Sequence, residues 1–165
     1  MALEPAVTDL EQLKGRLEIA RLLAWKADAV EGAKFDRNEL SVYIDRTSLR
    51  EACTTLRNDS VLRYDMLADL TCVDWVPNDP RFEVIYHLFS TVTKKRLRLK
   101  VRLSGDDARV DSLTPIWPGA NFFEREVFDL FGVRFQEHPN LTRIMMPDNW
   151  EGHPLRKDYP VEGYR

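Results

Sequence analysis

The stretch that decides the fold is Arg81–Leu103, RFEVIYHLFSTVTKKRLRLKVRL, in which two β-rich segments flank a short polar turn. The second segment alternates strictly, with a cation at every second position from Arg96 to Arg102 and Leu or Val between them. Because successive side chains of a strand point to opposite faces, this alternation is typical of a half-buried strand. Arg81–Leu103 therefore predicts an antiparallel hairpin.

The segments before the hairpin predict further elements of both kinds. Glu39–Asp45, ELSVYID, is rich in β-formers and predicts a strand, while Thr47–Asn58 has the apolar spacing of a helix. Asp65–Trp75 could form a helix or a strand, since its periodicity does not decide between them. Thr8 and Glu11 have capping-box spacing, which predicts a first helix from near residue 9.

The segment after the hairpin predicts one more helix. Asn121 is suited to the N-cap with Glu124 at the third helical position, and Gly132 is suited to the end of the helix. We expect the buried stripe of this helix to consist of four apolar residues: Phe123, Val127, Leu130 and Phe131. The acidic residues near the start of this helix are better explained by a favourable interaction with the helix dipole than by acid/base catalysis. Arg125 and Asp129 are four positions apart and can form an ion pair.

Beyond Gly132 the chain is rich in turns, and Pro154 and Pro160 exclude a continuous helix or a central strand. The elements together predict an α+β fold, with a mainly antiparallel sheet and helices packed on one face. We assign this domain to residues 1–140 and an extended, irregular C-terminal tail to residues 141–165.

Composition restricts the function classes. The 165 residues are 44% hydrophobic and 31% charged, as in one soluble domain, and no apolar run is long enough to span a membrane. The early acidic residues Glu4, Asp9 and Glu11 argue against a leader peptide, so we expect a cytoplasmic protein. A net charge of −3 gives no broad case for nucleic-acid binding. The basic strand from Lys94 to Arg102 lacks aromatic partners for base stacking, which favours a solvated or partner-facing strand.

Motifs for bound metals and for catalysis are also missing from the sequence. Cys53 and Cys72 are too few for a structural zinc site or an iron–sulfur cluster and are expected to be buried thiols. His87, His138 and His153 form no HExxH pattern, so a metal-dependent hydrolase built on them is a remote alternative. The chain contains no GxSxG, GxGxxG or GxxxxGK[ST] motif.

Two sequence blocks resemble a known family. EREVFDLFG, Glu124–Gly132, and GHPLRKDYP, Gly152–Pro160, are similar to the signature of the C subunit, the 30 kDa subunit family of NADH-quinone oxidoreductase (respiratory complex I). The resemblance extends over about Phe35–Pro160, and Thr142 departs from it, standing where the family usually has a basic residue or proline. The homologous subunit of a membrane-bound hydrogenase or a related dehydrogenase remains the nearest alternative.

The resemblance implies a scaffold subunit in the peripheral arm of a proton-pumping NADH:quinone oxidoreductase, without catalytic residues or bound cofactors of its own. FMN, iron–sulfur clusters and quinone would lie in partner subunits. The partners implied are the other peripheral-arm subunits, chiefly the large quinone-site subunit and the cluster-bearing subunit beside it, with no nucleic acid. The subunit would lie at the cytoplasmic face of the bacterial inner membrane and would contact the membrane only indirectly.

The same resemblance implies a partner interface made of signature residues, and that the tail is completed on another protein. On this basis, removing the side chains of Arg156 and Lys157 should leave the isolated fold within about 0.5 kcal/mol of its stability. The expected interface residues are Glu124, Arg125, Glu126, Asp129, His138, Arg143, Trp150, His153, Arg156, Lys157, Asp158 and Tyr159.

Overall fold

The computed structural model of the protein describes residues 5–163, so Glu4, used above in the argument against a leader, lies outside the described residues. Short 3-10 turns at Ala27–Ala29 and Arg46–Ser48 precede the strand Val30–Asp36 and the helix Leu49–Asn58 respectively. The helices are α1 (Leu10–Leu13), α2 (Leu17–Trp25), α3 (Leu49–Asn58) and α4 (Ala120–Phe131). The strands are β1 (Val30–Asp36), β2 (Glu39–Ile44), β3 (Met66–Asp74), β4 (Phe82–Phe89), β5 (Arg96–Leu103), β6 (Arg109–Asp111) and β7 (Arg134–Gln136).

The main sheet of the described chain has five strands in the order β1-β2-β5-β4-β3. The β2–β5 pair is parallel, and the other three pairings are antiparallel. A second, two-stranded parallel sheet pairs β6 with β7 and brings the segment before α4 beside the segment after it. The predicted α+β class with a mainly antiparallel sheet is confirmed.

The hairpin predicted from Arg81–Leu103 is the centre of this sheet. Its register runs from Phe82 opposite Leu103 to Phe89 opposite Arg96. The Leu and Val side chains of β5 are buried, whereas its cations point away from the core. Burying each Leu contributes about 2 kcal/mol, which fixes the register because a one-residue slip would expose every such side chain.

The hydrophobic core lies on one face of the sheet. The register aligns Val42 of β2, Leu99 of β5 and Tyr86 of β4 in one row across the strands. Leu22 of α2, Leu56 of α3 and Val127 of α4 belong to the same buried cluster. Among the described residues the helices therefore cover one face of the sheet, and the opposite face carries the charged side chains of β5.

Both cysteines are buried free thiols, as expected. Cys53 lies on the apolar face of α3 and Cys72 on β3. Burial raises the pKa of the Cys53 thiol far above its usual range and raises the pKa of Cys72 to about 12. Neither thiol is therefore ionised near neutral pH, and both act as small apolar side chains.

The structure defines three segments before the hairpin more closely than the sequence pattern does. The carboxylate of Asp9, rather than the hydroxyl of Thr8, caps the first helix, which ends at Leu13 and is followed by α2 after Gly15. β1 lies in a region that shows no clear sequence pattern. The ambiguous Asp65–Trp75 segment contains strand β3, because its pairing with β4 supplies hydrogen bonds that local periodicity cannot reveal.

The start of α4 also differs from the prediction. Gly119 is the N-cap, so Asn121 lies inside the helix and Glu124 is beyond the first turn. The buried stripe consists of Ala120, Glu124, Val127 and Phe131, so Val127 and Phe131 are buried as predicted. Phe123 and Leu130, expected to be core residues, are only partly buried at the edge of the stripe.

Candidate docking site

The signature residues meet where α4 ends and the tail crosses it, with Asp129 at the centre. The Asp129 side chain is fully buried, and its Oδ2 accepts hydrogen bonds from the backbone N–H groups of Ile144, Met145 and Met146 at 3.0, 2.8 and 2.8 Å. Its Oδ1 accepts one from Arg143 at 2.5 Å. Burial alone would raise the pKa of Asp129, but these hydrogen bonds outweigh it and hold the pKa below its usual range. Asp129 is therefore a buried anion that fixes the start of the tail.

Arg143 extends this arrangement along the tail. Its guanidinium contacts Asp129 through Nη1, while Nη2 donates to the backbone oxygens of Trp150 and Gly152 at 3.0 and 3.1 Å. One side chain thus joins α4 to two later points of an irregular segment. A guanidinium presents several N–H donors in one plane. Arg143 can therefore donate to the backbone carbonyls of Trp150 and Gly152, which lie outside any helix or strand.

The last turn of α4 provides the second set of anchors. A helix leaves its final carbonyls without intrahelical partners, and the tail supplies donors to them. His153 Nδ1 donates to Asp129 O at 2.8 Å, the Leu155 N–H to Leu130 O at 3.0 Å, and Arg156 Nε to Phe131 O at 2.6 Å. The guanidinium of Arg156 also lies 5.3 Å from the ring centroid of Phe82. The end of α4 is therefore a socket for the GHPLR segment.

Gly132 makes this socket possible. It ends α4 in the left-handed conformation, with φ 76°, a region that favours glycine. A Cβ at this position would also contact Arg156 and come within 2.6 Å of the His153 ring. The absent side chain allows the tail to lie directly on the helix end.

A third anchor holds the far end of the tail. Asp74, buried at the end of β3, accepts hydrogen bonds from Arg81 at 2.8 Å and from the backbone N–H of Lys157 at 2.9 Å. Arg81 also contacts Asp158 at 2.7 Å. Burial would raise the pKa of Asp74, but these donors hold it at about 2. The buried carboxylate is thus ionised and ties the tail to the main sheet.

Glu124 lies in a different environment, inside the core. Its carboxylate accepts hydrogen bonds from Ser112 Oγ and the Leu113 N–H, both at 2.6 Å. Burial raises the pKa of Glu124 to about 7, although these two donors oppose the shift. His138 Nε2 is 3.9 Å away and faces Asn121 O, and burial lowers the pKa of His138. A neutral imidazole is expected, so Glu124 and His138 do not form an ion pair at neutral pH.

Arg125 does not form the expected ion pair with Asp129. Its Nε and Nη2 donate instead to the backbone oxygen and hydroxyl of Thr142, each at 3.1 Å. Thr142 therefore contributes its own side chain to the contact between α4 and the tail. Arg125 and Arg143 therefore both join α4 to the tail.

The structure divides the expected interface residues into groups. Two are fully buried and engaged inside the chain: Glu124 and Asp129. Six are of intermediate exposure as whole residues, and all but the last have the contacts given above: Arg125, His138, Arg143, His153, Arg156 and Tyr159. The side chain of His138 is itself fully buried. Four are exposed: Glu126, Trp150, Lys157 and Asp158. These four exposed residues are therefore the most accessible to a partner protein.

The structure bears on two expectations about the tail. Its described residues have no helix or strand after Gln136, yet they are anchored to their own domain rather than left to be ordered by a partner alone. Arg156 is half-buried and hydrogen-bonded, so its removal should cost more than the 0.5 kcal/mol expected above. For Lys157 the expectation is retained, because its anchor is the backbone N–H, which a substitution preserves.

Sequence reasoning did not identify Asp74, Arg81 or Gly132 as parts of this site. Asp74 ends a segment whose structure was ambiguous, and its partner Arg81 follows a proline-rich turn, so only the folded sheet brings them together. The sequence predicts that Gly132 ends the helix, but only the tertiary structure shows its close contact with the tail. The tail also exposes apolar side chains: Ile144 (39%), Met145 (57%), Trp150 (39%) and Leu155 (52%).

Two features are absent from the part of the chain that the structure describes. No group of three or more His, Cys, Asp or Glu residues between positions 5 and 163 is arranged to hold a metal ion. No helix in that range is long and apolar enough to cross a membrane.

Fold and site together define an α+β protein whose buried charges position a segment of its own chain. The chain belongs to the family of the respiratory-chain NADH dehydrogenase 30 Kd subunit, whose sequence profile matches residues 42–165. The resemblance stated from the two signature blocks is thereby confirmed.

Curated relatives carry the corresponding name. The C subunit of NADH-quinone oxidoreductase from Roseiflexus castenholzii is 48% identical over 143 residues, covering 87% of this chain and 82% of the relative. The same subunit from Citrifermentans bemidjiense is 48% identical over 127 residues, covering 77% of this chain and 78% of the relative.

Two solved structures share the fold. A trypsin-resistant fragment of Nqo5 is 28% identical with a TM-score of 0.62, covering 76% of this chain and 100% of the fragment. A chain of the membrane-bound sulfane sulfur reductase, an archaeal respiratory membrane complex, is 27% identical with a TM-score of 0.73, covering 90% of this chain and 86% of the other.

Proposed function

We propose that this chain is a non-catalytic scaffold subunit of the peripheral arm of NADH:quinone oxidoreductase and docks through its anchored tail. The observation that carries the proposal is the arrangement at Asp129. The carboxylate fixes the backbone of Ile144, Met145 and Met146, while the Met145 side chain remains 57% exposed. An apolar side chain held in place on a fixed backbone suits protein docking, since little conformational entropy is lost on binding.

The composition of the tail surface supports this role. Met145 and Leu155 are more than half exposed, Trp150 is 39% exposed, and Lys157 and Asp158 lie at the same end of the tail. Aromatic and Met side chains within a polar rim are typical of the centre of an interface. The tail therefore offers both the apolar contacts and the charges that a partner surface requires.

The partners we propose are the large quinone-site subunit and the cluster-bearing subunit of the same arm. Relatives named as the C subunit of NADH-quinone oxidoreductase support an assembly of this kind. FMN, iron–sulfur clusters and quinone would be bound by partner subunits. Association with the inner membrane, at its cytoplasmic face, would then be indirect.

The contribution to the reaction is positional. Electron transfer to quinone requires the neighbouring subunits to keep a fixed geometry, and a rigid subunit between them supplies this without a reactive group. The three anchors at Asp129, at the end of α4 and at Asp74 provide the rigidity on this chain's side of the contact. The buried charged side chains hold the tail in place, and the tail would bind the partner subunit.

A pair of matched substitutions tests the docking role. Leu155→Asp places a charge on the proposed surface, and Val61→Asp places one at a similarly exposed site after α3; these side chains are 52% and 51% exposed. With tagged full-length chain in its native host, we expect Leu155→Asp to reduce recovery of the partner subunits and Val61→Asp to leave it unchanged. Equal recovery with both variants, at unchanged melting temperature, would reject the tail as a docking surface.

A second candidate is the homologous subunit of a membrane-bound hydrogenase or related dehydrogenase. Its support is the likeness to a chain of an archaeal respiratory complex that is not named an NADH dehydrogenase. Gentle purification of the tagged native complex separates the candidates. Flavin, iron and NADH-quinone activity in the eluate support the first proposal, whereas iron with hydrogen oxidation supports the second.

A further inference from the structure

A cleft of about 890 Å³ lies at the hairpin end of the main sheet, on the side away from the tail anchors described above. It is formed by the turn between β1 and β2, the end of β4 and the start of β5. Arg96 and Arg98 project into it from the charged face of β5, with Met66 beside them on β3. The tail socket uses none of these residues, so the cleft is a separate feature of the chain.

The charge of the cleft is opposite to that of the whole protein. The chain has a net charge of −3, yet the cleft lining contains six cations and two carboxylates. The cations are Arg16, Arg37, Lys94, Lys95, Arg96 and Arg98, and the carboxylates are Glu18 and Glu39. A concave surface lined by one sign of charge concentrates the field and attracts the opposite sign.

Both carboxylates already have partners. Glu39 accepts from Arg98 at 2.6 Å. Glu18 accepts from the Tyr64 hydroxyl at 3.1 Å and lies 4.0 Å from Lys95. Within residues 5–163, no ion pair is formed by Arg16, Lys94 or Arg96, so the cleft retains an excess of donors that a carboxylate ligand could satisfy.

The aromatic and apolar side chains of the cleft favour a protein segment over nucleic acid as its ligand. The Arg16 guanidinium lies 3.4 Å from the ring centroid of Phe35, and that of Arg96 lies 5.8 Å from the centroid of Phe89. Bases of single-stranded nucleic acid need free aromatic faces for stacking, and here cations of the chain itself approach these rings. Met66, 46% exposed, adds an apolar contact that a simple anion would not use.

We propose that this cleft is a second docking surface, which binds a segment of a partner protein rich in Asp or Glu and carrying an apolar side chain. The carboxylates would pair with Lys94 and Arg96 at the rim, and the apolar group would rest near Met66. Binding at the cleft does not depend on the tail. The experiments on the cleft and on the tail can therefore have different outcomes.

The direct test uses purified full-length chain and a synthetic fluorescent peptide of Glu residues with one central Phe. We expect binding that weakens by about tenfold or more between about 20 and about 200 mM salt, as screening of exposed charges requires. The same peptide with Gln in place of Glu should not bind. Absence of binding by the Glu peptide, or equal binding by the Gln peptide, would overturn the proposal.

Matched variants locate the binding. The double variant Lys94→Gln and Arg96→Gln removes two cations from the cleft, and Arg102→Gln with Arg109→Gln removes two exposed cations outside its lining. We expect the first pair to weaken peptide binding by about tenfold and the second to change it by less than about twofold. Equal weakening by both pairs would mean that net charge alone attracts the peptide, and would overturn the cleft as the binding site.

A further measurement tests the ligand class in the native complex. Val92, 54% exposed at the tip of the hairpin beside the cleft, can be replaced by a photoreactive amino acid in the host protein. A cross-link to an acidic segment of another subunit is the expected result. Cross-linking only to nucleic acid or lipid, or tighter binding of an oligonucleotide or anionic vesicles than of the Glu peptide, would overturn the assignment.

Discussion

Gly132 and His153 lie so close that a methyl group on the glycine would come within 2.6 Å of the imidazole ring. The two residues belong to different signature blocks: Gly132 ends α4, and His153 lies in the tail segment that contacts the end of this helix. Their contact explains the first block's final glycine in physical terms, because both the left-handed backbone and the passage of the tail require the absence of a side chain.

Gly132→Ala should destabilise the protein by about 2 to 4 kcal/mol, from backbone strain together with the clash against the tail. Urea unfolding of the full-length chain measures the change. Gly119→Ala is the matched control, since Gly119 has φ −63° and nothing within 4 Å of its added methyl group. We expect this control to be neutral or stabilised by about 0.5 kcal/mol, and equal losses in the two variants would contradict the socket.

Asp129→Asn should cost about 3 kcal/mol, because it removes the anion that compensates the partly buried Arg143 and accepts four hydrogen bonds. The tail should also become accessible, so trypsin should cut after Arg143 more rapidly than in the wild type. Asp148→Asn, a substitution in the exposed part of the tail, controls for the loss of one charge. If both variants were cut at the wild-type rate, the anchoring role would be refuted.

Glu124 predicts a specific pH dependence. Its folded-state pKa of about 7 lies above the ordinary value of 4.5, so its contribution to stability is fully present below about pH 4.5 and is lost as pH rises through 7. At about 1.4 kcal/mol per pH unit, the loss approaches about 3 kcal/mol well above neutrality.

Glu124→Gln should therefore flatten the stability curve between about pH 5 and about pH 8, as measured by urea midpoints at both values. Glu126→Gln, at an exposed position of the same helix, should retain the wild-type slope. An unchanged slope in Glu124→Gln would show that the carboxylate does not titrate in this range.

Arg81 allows a comparison of two carboxylates that share one guanidinium. Asp74 is 1% exposed and Asp158 is 56% exposed, with N–O distances of 2.8 and 2.7 Å to Arg81. We expect Asp74→Asn to cost about 2 to 4 kcal/mol and Asp158→Asn less than about 1 kcal/mol, since solvent screens the exposed pair. Thermal unfolding of both variants checks this order, and a larger loss for Asp158→Asn would reverse the roles assigned here.

The sequence predicts the central hairpin and α3 because their side-chain periodicities coincide with burial on one face of an element. It predicts β2 because this segment is rich in the β-formers Val, Tyr and Ile. β1 and β3 were less predictable, since Gly32 interrupts one and tertiary pairing determines the other. The same limit applies to the site. Asp129 was recognised as a signature residue, but its contact with Ile144–Met146 depends on how an irregular segment crosses a helix, which no local pattern encodes.

The division into an α+β domain at residues 1–140 and an extended docking tail at residues 141–165 stays a prediction. The contacts of Arg143, Arg156 and Lys157 with the earlier part of the chain favour a single cooperative unit instead. Coincident unfolding transitions of the tail and the sheet would support one unit.

The socket at the end of α4 restricts how the length of this helix can vary during evolution. Three successive carbonyls, those of Asp129, Leu130 and Phe131, receive the tail, and each residue added to a helix turns its end by about 100°. Inserting or deleting one residue within α4 would rotate the carbonyls away from their donors, even if every side chain were kept. The length of this helix should therefore tolerate less variation than its exposed side chains do.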